Sequence, residues 1–390
     1  MTLDFWNGFT GPDGETMEKI VRQFNAEHKD IRVRMQIIPW NTYYDKVTLS
    51  LAYGGAPDVF ILHASRLAEY ADCESVTRID DLTSAPEFPS NDYTPRAWEA
   101  AHWKGRQYAL PLDCHPIGMY YNVDLFKKAG IVDANGNAKP PVTLAEFLAD
   151  AQKLTKDTDG DGRIDQWGYI YTWLRTNAHT FLAQYDASWL SKDAGHAAIN
   201  SPEAYQAFGM MTDLIRKYKV CPKPEGQDAW NGFRMGKVAM VLEGIYMLSS
   251  LEKQEGLKYA GAPCPVFGKH AAVWADSHMM VMPKKLSPER RKAAWEFMRY
   301  LSDHSLEWSK GGQVPVRKSI LAKPEFRKLP VQYQFSKELP YVVYMPQSTS
   351  TNQIMPFCEA AVEAILNDLM PTKAAVDEAT RRVNCVLERP

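Results

Sequence analysis

No run of apolar residues approaches the roughly 20 needed to span a bilayer. The longest candidate, Val238 to Leu248, is short and is broken by Glu243 and Gly244. Neither sign of charge is in excess: 45 Lys and Arg against 47 Asp and Glu leave a net charge of −2, which excludes the basic footprint of a nucleic-acid binder. Cysteine is sparse and scattered, at 73, 114, 221, 264, 358 and 385, with no C-x-x-C and no metal-type spacing. Such residues read as small buried hydrophobes, with one disulfide as the alternative. Catalytic signatures are missing too: there is no G-x-S-x-G, no P-loop, no H-E-x-x-H and no G-x-G-x-x-G after a strand, and the nine His form no pair at helical spacing. The opening Leu3-Asp4-Phe5-Trp6 shows neither the basic start nor the apolar core of a signal peptide. That suits a cytoplasmic protein, or an exported one whose leader has been removed.

Aromatic residues are what the chain has in quantity: 12%, with 11 Trp and 19 Tyr. Such rings build cores or line a site for a ligand with a flat apolar face. With 45% hydrophobic and 24% charged residues the composition is that of an ordinary globular protein. Its 390 residues suit two lobes better than one core, and no repeat or low-complexity linker marks a junction.

The first 62 residues carry an α/β grammar. Leu3 and Phe5 alternate with polar neighbours as on a strand, and Met17, Ile20, Val21 and Phe24 form the stripe of an amphipathic helix. Val33, Met35 and Ile37 alternate with Arg32, Arg34 and Gln36; a second helix is expected over about 42–53, and Val59 to Leu62 is a fully apolar strand. Strand, helix, strand, helix, strand implies a parallel sheet with right-handed crossovers, whose ligands sit beyond the carboxyl ends of the strands. Those ends are Trp6 to Thr10, Trp40 to Tyr44 and His63 to Arg66. Later, Thr143-Leu144-Ala145-Glu146 reads as a capping box, and Ser201-Pro202-Glu203 and Ser287-Pro288-Glu289 as helix starts. Strands are expected at Trp167 to Tyr171, Val238 to Leu242 and Met279 to Met282, and two helices between about 353 and 388, broken before Pro371.

Asp157-Thr158-Asp159-Gly160-Asp161-Gly162 places carboxylates and a glycine as in a calcium loop, but position 12 is Gly168, where a bidentate acid belongs. A Gly/Asp-rich turn is the favoured reading, with structural calcium at Asp157, Asp159 and Asp161 as the weaker one. No other cofactor is expected.

Several blocks in order carry a resemblance: Phe5-Trp6-Asn7; Gly54-Gly55-Ala56-Pro57-Asp58-Val59; Tyr108-Ala109-Leu110-Pro111-Leu112-Asp113 with Met119 to Phe126; Phe233 with Gly236 to Met240 and Glu243-Gly244; and Gly311 to Arg317. Together they resemble the extracellular solute-binding proteins of carbohydrate-uptake ABC transporters, the maltose-binding-protein-like family. The resemblance implies a periplasmic-binding-protein-like fold: two α/β lobes, 1–112 plus 268–318 and 113–267 plus 319–390, joined by hinge crossings, with the ligand in the cleft between them. It implies sugar contacts at Trp6, Asn7, Thr10, Trp40, Tyr44, His63, Ser65, Arg66, Asp113, Trp173, Tyr246, Trp274, His278 and Arg317, with Asp113 accepting from sugar hydroxyls. Trp98, Trp103, Trp295 and Trp308 read as packing residues. The implied role is to bind a di- or oligosaccharide or glycoside as a monomer, in the periplasm or on the outer face of the cell membrane, and to deliver it to membrane permease subunits. An anionic solute such as glycerol phosphate or an acidic sugar is the alternative within this class. A glycoside-processing enzyme with two cleft carboxylates is the competitor outside it.

Overall fold

A computed structural model describes residues 1–252 and 254–388. The chain divides into two compact units. Unit 1 holds 1–115, 276–340 and 347–349; unit 2 holds 116–275, 341–346 and 350–390.

In unit 1, β1 (Thr2–Asn7), α1 (Pro12–Glu27), β2 (Arg32–Ile37), α2 (Trp40–Tyr53) and β3 (Val59–His63) follow the alternation of the sequence. β1 pairs in parallel with β2 on one side and β3 on the other. The apolar stripe of α1, Met17, Ile20, Val21 and Phe24, is buried, with Phe24 edge-on to Phe297 of the helix Pro288–Asp303. Beyond β3 the sheet turns antiparallel. The strand His278–Val281 runs against β3 with His278 opposite His63, and Leu110–Pro111 closes the far edge. Neighbours directly opposite in an antiparallel pair stand a few ångströms apart, so this register sets two imidazoles side by side.

Unit 2 is built on the strand Val238–Gly244. It runs antiparallel to residues 117–121 and parallel to Trp167–Tyr169. The helices Leu144–Leu154, Leu174–Gln184 and Pro202–Arg216, and the terminal pair Thr351–Leu366 and Thr372–Leu387, each bury an apolar face. The starts read from sequence are present: Thr143 and Glu146 form the capping box, and the Ser201 and Ser287 hydroxyls accept from the third backbone N–H onward.

The structure differs from the sequence reading in three places. Trp40 opens α2 instead of lying in the preceding loop; Pro39 ends the strand and leaves no residue to spare. The strand expected to reach Tyr171 stops at Tyr169, two residues short. The junctions fall at 115/116, 275/276 and 340/341, with a further short excursion at 347–349, and not at 112, 267 and 318. Residues 319–340 stay with unit 1 because they bury Ile320, Phe326, Val331 and Phe335 there, and Gln332 Nε2 donates to the Ser309 carbonyl.

Candidate functional site

Unit 1 gathers an aromatic and imidazole cluster at the carboxyl ends of its parallel strands. Asp113 lies at its centre, fully buried. Its Oδ1 accepts from the His278 backbone N–H at 2.9 Å and lies 3.4 Å from His115 Nδ1. Its Oδ2 accepts from His278 Nδ1 and from Trp308 Nε1, both at 2.7 Å. Burial pushes the Asp113 carboxyl up, but the neighbouring charge and hydrogen bonds of His278 and His115 outweigh it and hold the group well below the usual range. His278 is raised in turn: burial works against its charge, and Asp113 more than compensates. Asp113 and His115 sit two apart on one strand and so share a face.

Around this pair the rings are packed by direct contact. Phe9 meets Trp308 at 4.7 Å and the edge of His278 at 4.8 Å. Trp40 lies 4.5 Å from His63 and stacks at 6.0 Å on both Tyr44 and His278. A Cβ on Gly8 would fall 2.2 Å from the Trp40 ring, so glycine there is what lets the indole lie on the chain. The Tyr44 hydroxyl is 2.5 Å from His63 Nδ1 and accepts from the His63 backbone N–H at 3.1 Å. Burial and the neighbouring His278 and His115 keep His63 well below its ordinary pKa.

Other residues expected at the site have different surroundings. Trp6 is buried beneath α2 with Lys46 Nζ over its ring at 4.7 Å. Asn7 is buried and accepts from the Phe9 N–H, while Thr10 is exposed. Ser65 donates to Asp276, a buried carboxylate. Arg66 pairs with Glu69 at 2.7 Å and lies over the Tyr44 ring at 4.2 Å. Arg317 is held by Asp92 and Asp303 over the ring of Tyr93. Asp113, expected to accept from sugar hydroxyls, here has its two oxygens met by the His278 N–H, His278 Nδ1 and Trp308 Nε1 in the interior. Arg317, also expected at the site, has its fork met by these two acids.

Unit 2 has a second, smaller group. Trp173 precedes the helix Leu174–Gln184 and is 55% exposed. Its indole and the Thr172 side chain stand beside the carboxyl of Glu243, while the Thr172 hydroxyl itself donates to the Leu242 carbonyl. Glu243 is buried, and burial pushes its pKa up to about 8, beyond what the Gly244 N–H and these side chains pull back. At neutral pH it is therefore largely a neutral acid. Tyr246 folds over Gly244, where a Cβ would fall 2.1 Å from its ring, repeating the Gly8–Trp40 arrangement. Trp274 also belongs to unit 2, not to the first lobe; it is buried, with its backbone N–H on Thr180 Oγ1.

Two groups of residues have metal-compatible spacing among the described residues: His63, His115 and His278, and Asp157, Asp159 and Asp161. The aspartates are taken up locally: Asp157 accepts from the N–H groups of Gly160 and Gly162, Asp159 from Asp161, and Asp161 from Arg163. Sequence reasoning missed Glu243 and His115. Glu243 stood in a quoted motif, and an acid inside the apolar run Val238 to Leu242 was the available signal. His115 had none beyond its spacing from Asp113.

Residues 9–305 match the family of bacterial extracellular solute-binding proteins. The chain is similar to a solved substrate-binding protein from Listeria monocytogenes in complex with cycloalternan, with TM-score 0.84, 22% identity and coverage of 100% of this chain and 99% of that one. It is also similar to a solute-binding protein of Thermotoga lettingae bound with α-D-tagatose, with TM-score 0.82, 25% identity and 99% of both chains. An sn-glycerol-3-phosphate-binding periplasmic protein of Brucella melitensis is 23% identical over 422 residues, 99% of this chain and 93% of the relative. The fold is the two-domain α/β fold of these solute-binding proteins.

Proposed function

The chain belongs to the bacterial extracellular solute-binding protein family, a family of binding proteins and not of enzymes, and on that premise we propose that its solute is a neutral sugar. The observation that carries this reading is Trp173. It is a half-exposed indole beside the buried Glu243 carboxyl, whose pKa burial raises to about 8. A pyranose offers an apolar C–H face to such a ring and hydroxyls to its rim. A neutral carboxylic acid both donates to and accepts from a hydroxyl. In unit 1, Trp40, His63 and His278 supply the same mixture of ring faces and polar tips. An anionic solute is less well served, since Arg66 and Arg317 already face Glu69, Asp92 and Asp303. Solved neighbours hold sugars, which supports the reading without fixing which sugar. We place the protein outside the cytoplasmic membrane, acting as a monomer that hands its solute to the permease subunits of an ABC importer and needs no cofactor for it.

The test is a thermal-shift screen over mono-, di- and oligosaccharides with glycerol 3-phosphate alongside, followed by calorimetry of the best hit. A ligand that binds the folded state raises the midpoint by mass action. Trp173→Ala is expected to weaken the sugar hit about 30-fold, the loss of an aromatic anchor worth about 2 kcal/mol, with little response to salt. Binding of glycerol 3-phosphate alone, weakened strongly by salt, would overturn the neutral-sugar reading.

A further inference from the structure

We propose that unit 1 carries a three-histidine binding site for a borderline divalent transition ion of the zinc class, formed by His63, His115 and His278. The topology assembles it from three separate segments. His63 ends β3, His278 stands opposite it in the antiparallel register, and His115 lies on the strand that begins at Asp113. One nitrogen of each ring lies within 4.8 Å of those of the other two, and the ring centroids are 4.5 to 5.7 Å apart.

What distinguishes this group from three packed rings is the shell behind it. His278 Nδ1 donates to Asp113 Oδ2 at 2.7 Å, His115 Nδ1 faces Asp113 Oδ1 at 3.4 Å, and His63 Nδ1 faces the Tyr44 hydroxyl at 2.5 Å. Metal-ligating histidines give their far N–H to a carboxylate, carbonyl or hydroxyl oxygen, which fixes the tautomer and aims the other nitrogen. Here each Nδ1 already has such an oxygen, so Nε2 is the ligating atom on all three. Asp113 is in turn held by Trp308 Nε1 at 2.7 Å, and Trp40 and Phe9 wall the group with ring faces and edges. Three imidazoles with a nearby carboxylate suit zinc, for which three histidines and one open position make a complete set, and binding releases the extra proton of any charged ring. Zinc–nitrogen distances near 2.1 Å place tetrahedral ligands about 3.4 Å apart, so the rings draw together by about an ångström on binding. The open fourth position would take water or an oxygen of a solute. The Asp157 group lacks such a shell, because its oxygens serve the backbone of their own loop.

The site does not depend on the sugar reading, and its test contains no carbohydrate. The full chain, stripped of metal by chelator and dialysis, is titrated with Zn2+ alone by calorimetry, and with Co2+ alone by visible absorption. One equivalent of Zn2+ is expected, with an intense tetrahedral Co2+ band and a raised melting midpoint. His63→Gln, at the least buried member of the group, is expected to weaken Zn2+ about 100-fold and to abolish the band. Asp113→Asn is expected to cost about 10- to 100-fold, the range for a partner behind a ligand. Asp157→Asn, in the other group, should leave the affinity unchanged. Circular dichroism of each variant separates loss of the site from loss of the fold; His115→Gln replaces any variant that unfolds. No stoichiometric binding, or binding that His63→Gln and His115→Gln leave intact, would overturn the proposal.

Discussion

The two units solve the same problem, holding rings and a buried acid at the ends of strands, in opposite electrostatic ways. In unit 1 the acid is charged. Asp113 is surrounded by donors, two of them from His278 and one from Trp308. In unit 2 the acid is neutral. Glu243 sits among apolar strand residues, and the weaker donors around it do not offset burial. The charged acid ties its neighbours into one network, whereas the ring beside the neutral acid, Trp173, is exposed. Both units use glycine to let a ring lie on the chain, Gly8 under Trp40 and Gly244 under Tyr246.

If that contrast holds, breaking the two acids has unequal consequences. Asp113→Ala leaves the Trp308 N–H and the His278 donors buried without their acceptor, and the expected loss of stability is about 3–5 kcal/mol. Denaturant unfolding of the full chain measures it. Trp173→Ala, which trims an exposed ring, should change stability by less than about 1 kcal/mol on the same assay. Equal losses would end the distinction between a locked cluster and an open one.

The contrast also predicts opposite responses to acid. Glu243 has its folded pKa raised to about 8 from 4.5, so between these values the folded state binds more protons than the unfolded one. Its contribution therefore falls as pH rises across that window and is fully present below it. Asp113 is depressed below 3.8, so its contribution is present above pH 3.8 and is lost as pH falls below it. Stability measured from pH 4.5 to 8 should decline by an amount on the order of a few kcal/mol attributable to Glu243. Glu243→Gln, which keeps an oxygen for the Gly244 N–H, should flatten that decline and leave the acid limb unchanged. An unaltered slope in Glu243→Gln would place the neutral acid elsewhere.

How much of this was legible in the sequence follows from what each signal depends on. β1 to β3 and the helices between them were readable because hydrophobic periodicity and strand alternation are local. Capping at Thr143, Ser201 and Ser287 was readable because the motif itself makes the hydrogen bonds. The turn to an antiparallel strand after β3 was not, since the direction of Met279 to Met282 depends on a partner more than 200 residues away. For the same reason Asp113 could be singled out but its surroundings could not. Its partners His278 and Trp308 lie 165 and 195 residues further on. The surroundings of Arg317 were hidden too, because an arginine in a loop block looks the same whether or not acids such as Asp92 and Asp303 await it.

The smallest expected effect concerns an acidic cluster outside both ring groups, Asp157, Asp159 and Asp161. The Asp157 loop has the spacing of a calcium loop, yet its carboxylates accept from backbone N–H groups of the loop, Gly160 and Gly162 both bonding Asp157 at 2.7 Å. Those glycines take φ of 81° and 88°, values that only glycine adopts without strain, so the turn is formed by the chain itself. Gly168 stands where calcium needs a bidentate acid. Asp157→Ala should accordingly cost about 1 kcal/mol, the net worth of the turn's hydrogen bonds. Saturating calcium added to metal-free protein should leave the melting midpoint of wild type and variant alike where it was. A midpoint that rises with calcium in wild type and not in Asp157→Ala would show that an ion replaces those N–H groups as the partner of the carboxylates. The contrast would then lie between an imidazole site in unit 1 and a carboxylate site in unit 2.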